Sequence, residues 1–334
     1  MVEAVAQFST PALTQPEPSQ LVDYGQLIAA HRAVSGLEHA LQFSPAIASK
    51  AFCDMVWLLE GLGAMQLDGE PVWMQSVIDE PSSAAVQRAI THRTIASSLA
   101  LSNRAGVLTQ STAVQIASKL SGEQTNKSII RRDVYSNDSL QHGLAHWEHF
   151  VSDRAGGEDS LVMCALADAK FRRLSPFNSN NSMTAGLLLA ASLRNEQVVQ
   201  GAPLCLSNYF SRHAHQFTSA LTSDSSVVSF YLTAFTELAS ALLNCLARLV
   251  KHLEHCRQIV NDTLARAPLD PVLQAISQPV CTNADLMEAG ITRRQTSATY
   301  LKKLSSAGLL ESRRYGKELR YMNRGVVEAF QLLI

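Results

Sequence analysis

Residues 169–193, AKFRRLSPFNSNNSMTAGLLLAASL, hold the side chains best placed to do chemistry. Their spacing predicts the end of an apolar helix, a Ser/Asn loop, and a second helix opening near Met183 with Leu187, Leu188 and Leu189 behind it. A polar loop that runs into a helix N-terminus leaves backbone N–H groups unpaired and pointing outward, a geometry that favours a bound anion such as phosphate. The loop side chains of Ser175, Asn178, Ser179, Asn180, Asn181 and Ser182 add only hydroxyls and amides. The loop from Ser175 to Ser182 is thus a cradle for an anion that carries no acid, base or cation of its own.

Pro176, Phe177 and Asn181 stand where the Fic family signature, His-Pro-Phe-x-Asp/Glu-Gly-Asn-Gly-Arg-x-x-Arg, has Pro, Phe and Asn, and the segment resembles that family. Flanking segments extend the likeness: DSLVMCALADAKFRRL (159–174) and LAHWEHFV (144–151) resemble the helices that lead into the motif, and PLCLSNYFSRHAHQF (203–217) resembles the family's Leu-Ser-x-Tyr-Phe segment. Ordered agreement of several segments over roughly residues 95–265 is more specific than one short match. The resemblance implies a mostly α-helical Fic-like domain with a short β-hairpin flap. It also implies protein nucleotidyl transfer (AMPylation) with ATP and magnesium as cofactors.

The departures fall on the positions to which the resemblance assigns catalysis. Ser175 replaces the histidine base, Ser179 the metal-binding carboxylate, Asn180 and Ser182 the two glycines, and Met183 and Gly186 the two arginines. A serine hydroxyl is no general base near neutral pH. Without the carboxylate a hard cation loses its anchor, and without the arginines the phosphates lose charge-assisted contacts. The expectation is a nucleotide-loop remnant at Pro176, Phe177, Asn180, Asn181 and Ser182, with no intact catalytic residue, no bound cofactor and no metal. The competing expectation is residual transfer from ATP and magnesium, with Asp168 or His213 as substitute base.

Two further matches depend on the same resemblance. In ASSLALSN (96–103), Ser98 and Asn103 fit the family's self-inhibitory pattern Ser/Thr-x-x-x-Glu-Gly/Asn, while Ser102 replaces its glutamate. That glutamate's partner is the arginine replaced here by Gly186, so both ends of one ion pair are absent together. NKSIIRRDVYSND, which begins at Asn126 and ends at Asp138, corresponds to the flap; Ile130, Val134 and Tyr135 have strand character, and a protein partner could add a strand there. His142, His146 and His149 share one helical face, and His252, His255 and Cys256 form a looser group. Neither has a recognised metal-ligand spacing, and both read as non-metal features.

The chain that must position these groups has 334 residues, enough for two or three domains. It is 46% hydrophobic and 17% charged with a formal net charge of -1, so any basic surface is local. Cys53, Cys164, Cys205, Cys245, Cys256 and Cys281 are scattered without CxxC pairing, which suits reduced core thiols and a cytoplasmic location. Residues 1–20 read as a mobile tail without a secretory pattern. No apolar run is taken as long enough to span a bilayer, so no membrane partner is expected. Helical spacing starts at Leu21, with Gly61 and Gly63 expected to close a second helix, and residues 21–94 form a helical lobe. A Fic-like core covers 95–265 and ends before Pro268 and Pro271.

Residues 270–334 carry an independent pattern. Three helices are followed by two strands around Gly316 and Lys317, the order of a winged helix-turn-helix, with 292–307 as recognition helix. Between Ile291 and Arg324 nine basic residues face only Glu311 and Glu318, an electrostatic footprint suited to DNA. Arg293, Arg294, Gln295, Ser297 and Thr299 are the expected base readers, with Lys302, Lys303, Arg313, Arg314, Lys317 and Arg320 as further DNA contacts. A homodimer regulating through this winged helix, with DNA or a protein as partner, completes the expectation.

Overall fold

A computed structural model of the chain describes residues 22–70, 72–80, 83–101, 108–122, 129–131, 137–153, 158–201, 204–291, 293–315 and 318–334. The expected tail at 1–20, Ser102 and Asn103, residues 126–128 and 132–136 of the flap stretch, and Lys317 lie outside the described residues.

The body consists of α1 (Tyr24–Gln42), α2 (Ala46–Leu67), α3 (Met74–Asp79), α4 (Ala84–Leu101), α5 (Gln110–Ser121), α6 (Asn137–Ser152), α7 (Ser160–Leu174), α8 (Asn181–Asn195), α9 (Leu206–Arg212), α10 (Ala214–Ala220) and α11 (Asp224–Thr263). After it come α12 (Leu269–Ile276), β1 (Val280–Cys281), α13 (Asn283–Glu288), α14 (Arg294–Ser306), β2 (Glu311–Tyr315), β3 (Glu318–Met322) and α15 (Arg324–Ala329). The described residues are mostly helical, with one small antiparallel sheet in the order β1-β3-β2.

α11 organises the molecule. The Ser223 hydroxyl caps it by accepting from Ser226 N–H, and buried residues recur every three to four positions from Val227 through Tyr231, Leu238, Leu242 and Leu249 to Val260. α1 lies along it, and α2, α7, α9, α12 and α15 also pack on it. Contrary to the expectation that no apolar run is long enough, the 40-residue helix contains a window apolar enough by length and composition to cross a membrane. Half of that window is buried inside the body.

α2 departs from expectation at its glycines. It runs through Gly61 and Gly63 to Leu67 instead of closing there. The reason is close approach: a Cβ on Gly63 would collide with the main chain of Ser207 and Asn208 in α9, and one on Gly61 would press on the His92 ring in α4. α2 is buried nearly all round, as suits a helix wedged between α4, α8 and α9. The turn at Gly69, with φ +82, then leads the chain toward α3.

All six cysteines are free thiols, and all but Cys53 are buried. His252 bonds Asn323 Oδ1 at 2.7 Å and lies 3.3 Å from Cys256 Sγ, joining α11 to the C-terminal segment. This group is a packing contact, and no cluster among the described residues suits a metal ion.

Candidate functional site

The loop between α7 and α8 adopts the form its composition suggests. Ser175 ends α7 at φ 45 and Asn180 precedes α8 at φ 59, both left-handed. Asparagine tolerates that region better than most residues, so Asn180 keeps a turn that glycine would otherwise make. The Asn181 side chain clamps the loop from within: its amide donates to Phe177 O at 2.8 Å, and its carbonyl accepts from Phe177 N–H at 2.9 Å. Phe177 is fully buried against Phe171. Across the loop, Arg131 N–H donates to Pro176 O and Asn178 N–H to Ile129 O, so residues 129–131 pair along the motif. Asn137 and Asp138 already belong to α6 and not to a hairpin.

The anion position at the α8 N-terminus is filled by the protein itself. Ser182 N–H donates to both oxygens of Asp68, at 2.9 and 3.1 Å, from the end of α2. Burial raises the Asp68 carboxyl above its usual range, while the main chain of Ser182 and Met183 partly offsets this. A carboxylate aimed at unpaired helix N–H groups satisfies the helix dipole as a phosphate oxygen would.

The two positions that lack arginine are core positions. Met183 is buried. Gly186 faces Glu60 of α2, and a Cβ at Gly186 would meet the Glu60 carboxylate. Glu60 is itself buried: Oε2 accepts from Ser207 N–H at 2.8 Å, and Oε1 has no partner among the described residues. Burial pushes its pKa up to about 7, against the pull of Ser207 and Arg172. His92 lies in the same layer at 0% exposure, with neither ring nitrogen in a hydrogen bond of ordinary geometry. Burial lowers its pKa to about 4, although the main chain of Met183 favours the cation.

Sequence reasoning placed no cation near the loop and so missed Arg172. Its guanidinium is buried, donates to Asp168 Oδ2 at 2.7 Å, lies 3.5 Å from Ser207 Oγ, and stacks over Phe210 and Phe217. Tyr231 OH donates to the same Asp168 oxygen. Asp168 is thereby committed to an internal ion pair. His213 bonds Tyr209 O at 2.9 Å and lines a groove with Tyr209, Phe230 and Glu237, none of them a loop residue. The i, i+4 spacing of Asp168 and Arg172 was the available signal for this pair. Glu60 is conspicuous as an acid inside an apolar run, whereas nothing local marks Asp68.

The remaining candidates are dispersed. Ser98 Oγ donates to Ile95 O within α4. The exposed hydroxyl of Ser179 accepts from the Asn180 side chain. His142 lines one groove with Gln110 and Val114, while His146 and His149 line another with Phe150 and Lys170, so the three do not converge.

The C-terminal segment builds a second candidate surface. Thr282 and Asp285 form a capping box at α13, Gly290 turns at φ +114, and α14 follows with its first residues exposed. Arg293, Arg294, Gln295, Thr299, Lys302, Lys303 and Arg314 are exposed, and the five cations have no ion pair among the described residues. Ser297 is not available to a ligand: it is fully buried, and its hydroxyl donates to Ile291 O and Arg293 O. Arg320 is also largely withdrawn, paired with Glu318 at 2.6 Å and stacked on Tyr315. Arg313 pairs with Glu311 at 3.1 Å, and Arg324 reaches the same carboxylate.

Residues 255–326 match a family profile described as the C-terminal domain of SoFic-like protein adenylyltransferases. The fold resembles Fic-1 from C. elegans with a TM-score of 0.51 at 12% identity, over 67% of this chain and 73% of that one. A Fic family protein from Desulfovibrio desulfuricans aligns with a TM-score of 0.47 at 15% identity, over 88% of this chain and 95% of that one. The body thus has a fold like that of Fic proteins, and the C-terminal residues 255–326 are similar to the SoFic-like C-terminal domain.

Proposed function

We propose that this protein is a catalytically degenerate Fic protein that regulates through its C-terminal segment, a winged helix-turn-helix that binds duplex DNA. One observation carries the reading: Arg293, Arg294, Lys302 and Lys303 stand exposed along α14, with no carboxylate paired to them among the described residues. Cations left free on a helix that follows a short turn suit a phosphate backbone beside a groove. The motif loop supports the other half of the reading. Asp68 competes for the position a phosphate would take, Ser179 offers a hard cation only a hydroxyl, and the arginine positions are occupied by core packing. These residues do not fit magnesium-bound ATP.

Fluorescence anisotropy with a random-sequence duplex tests the DNA reading. At ~50 mM salt the protein binds with Kd of about 10 µM or tighter, and Lys302→Glu with Lys303→Glu weakens binding at least ~10-fold without changing Tm. No binding at low salt, or equal binding by the variant, rejects it. The alternative, residual adenylyl transfer, is read by intact mass after incubation with ATP and magnesium. The expected mass is unchanged, and an adenylyl increment on the protein would establish the transferase.

A further inference from the structure

Among the described residues, the hydrogen bond and ion pair that join the β2–β3 pair to the body converge on one acid, Asp79. Tyr315 OH donates to Asp79 Oδ1 at 2.7 Å, and Arg313 lies 3.9 Å from the same oxygen. Gln75, one turn earlier on α3, donates to the other oxygen at 2.6 Å. These hydrogen bonds hold the Asp79 carboxyl below its ordinary range, first through Gln75 and then through Tyr315. α3 is anchored through two apolar side chains. Met74 and Ile78 are buried in the core, and the chain before them is tied down by the Glu70–Arg88 ion pair and by Asp68 on α8.

The contact is poorly explained as structural cement. The side chains of Asp79 and Arg313 are 40% and 38% exposed, and ion pairs so solvated add little stability. Exposure instead leaves both open to competition, because a phosphate and a carboxylate satisfy a guanidinium in the same way. Arg313 and Tyr315 lie on the strand that leads into the tip of the pair, the part of a winged helix that meets the DNA backbone.

We infer that Asp79 is an autoinhibitory latch: it fastens Arg313 and Tyr315 of the wing to α3, so that duplex DNA must displace a carboxylate before the wing can engage. This rests on the DNA-binding reading above. The latch differs from simple charge neutralisation in depending on the Tyr315 hydroxyl, which carries no charge.

The test uses the full chain, Asp79→Asn and Tyr315→Phe, with two readouts: hydrogen exchange across 311–322 and anisotropy with the random duplex. Both variants are expected to exchange faster in the β2–β3 pair and to bind DNA about 3- to 5-fold tighter. Tighter binding by Asp79→Asn but not by Tyr315→Phe overturns the latch in favour of charge removal alone. Unchanged exchange in both variants overturns it whether or not DNA binds. Faster exchange with no duplex bound by any form, Lys302→Glu included, means that the wing is released but DNA is not its ligand, and the autoinhibitory role falls with the DNA reading.

Discussion

Two helices in this molecule open after a polar turn, and they treat their N-termini in opposite ways. At α8 the chain folds its own acid, Asp68, onto Ser182 N–H, and surrounds that end with buried Glu60, His92 and Met183. At α14 no side chain among the described residues caps the first turn, no acid lies in it, and Arg293, Arg294 and Gln295 face solvent. The first site is closed by internal charge. The second is open with its charge unspent. A helix N-terminus alone therefore says little about ligand binding; what matters is whether the tertiary structure brings an internal anion to it.

The largest effect expected at the closed site is a hidden pair of opposed pH dependences. Glu60 titrates near 7 in the folded chain and near 4.5 when unfolded, so folding carries no penalty from it below pH 4.5, a growing one up to 7, and the full one above. His92 titrates near 4 when folded and near 6.5 when unfolded, so its penalty is absent above pH 6.5 and complete below 4. Each amounts to about 3 kcal/mol, and over pH 4.5 to 6.5 they oppose each other. Urea denaturation of Glu60→Gln should therefore reveal stability rising by about 3 kcal/mol from pH 4 to 6.5, and His92→Gln a fall of similar size from pH 4.5 to 7. If both variants track the wild-type profile, the buried layer around α8 is not as closed as the contrast with α14 requires.

Next in size is the plug itself. Asp68→Ala strands the Ser182 N–H and should destabilise the chain by about 2 kcal/mol, read by thermal or urea unfolding at neutral pH. A neutral result would mean that the α8 end is solvated like that of α14. The smallest effect belongs to the open unit: Thr282→Ala removes the capping box of α13 and should cost about 1 kcal/mol, read by urea unfolding. A loss well above that value would show that α13 depends on its cap more than on its packing.

Much of the fold was legible because its signals are local. The helical spacing from Leu21, the loop between α7 and α8, and the helix-strand order after Pro268 all follow from spacing within a few turns. The errors share one cause. Gly61 and Gly63 look like helix ends until α9 is seen packed against the second of them. Ser297 looks like a base reader until its hydroxyl is found bonded inside the unit. The missing arginines were visible in the sequence, but the reason Gly186 bears no side chain was not, because Glu60 lies more than a hundred residues earlier.

By itself the sequence determined the residue types at the motif: two serines, a methionine and a glycine where charge would be needed, and a cluster of cations in the last segment. Tertiary structure decided that Asp68 and Glu60 reach α8, that Arg172 is spent on Asp168, and that Arg313 and Tyr315 rest on Asp79. The division has a physical reason. Periodicity reports which face of a helix is apolar, but which buried charge meets which helix end depends on packing between elements far apart in the chain, and no local spacing encodes that meeting.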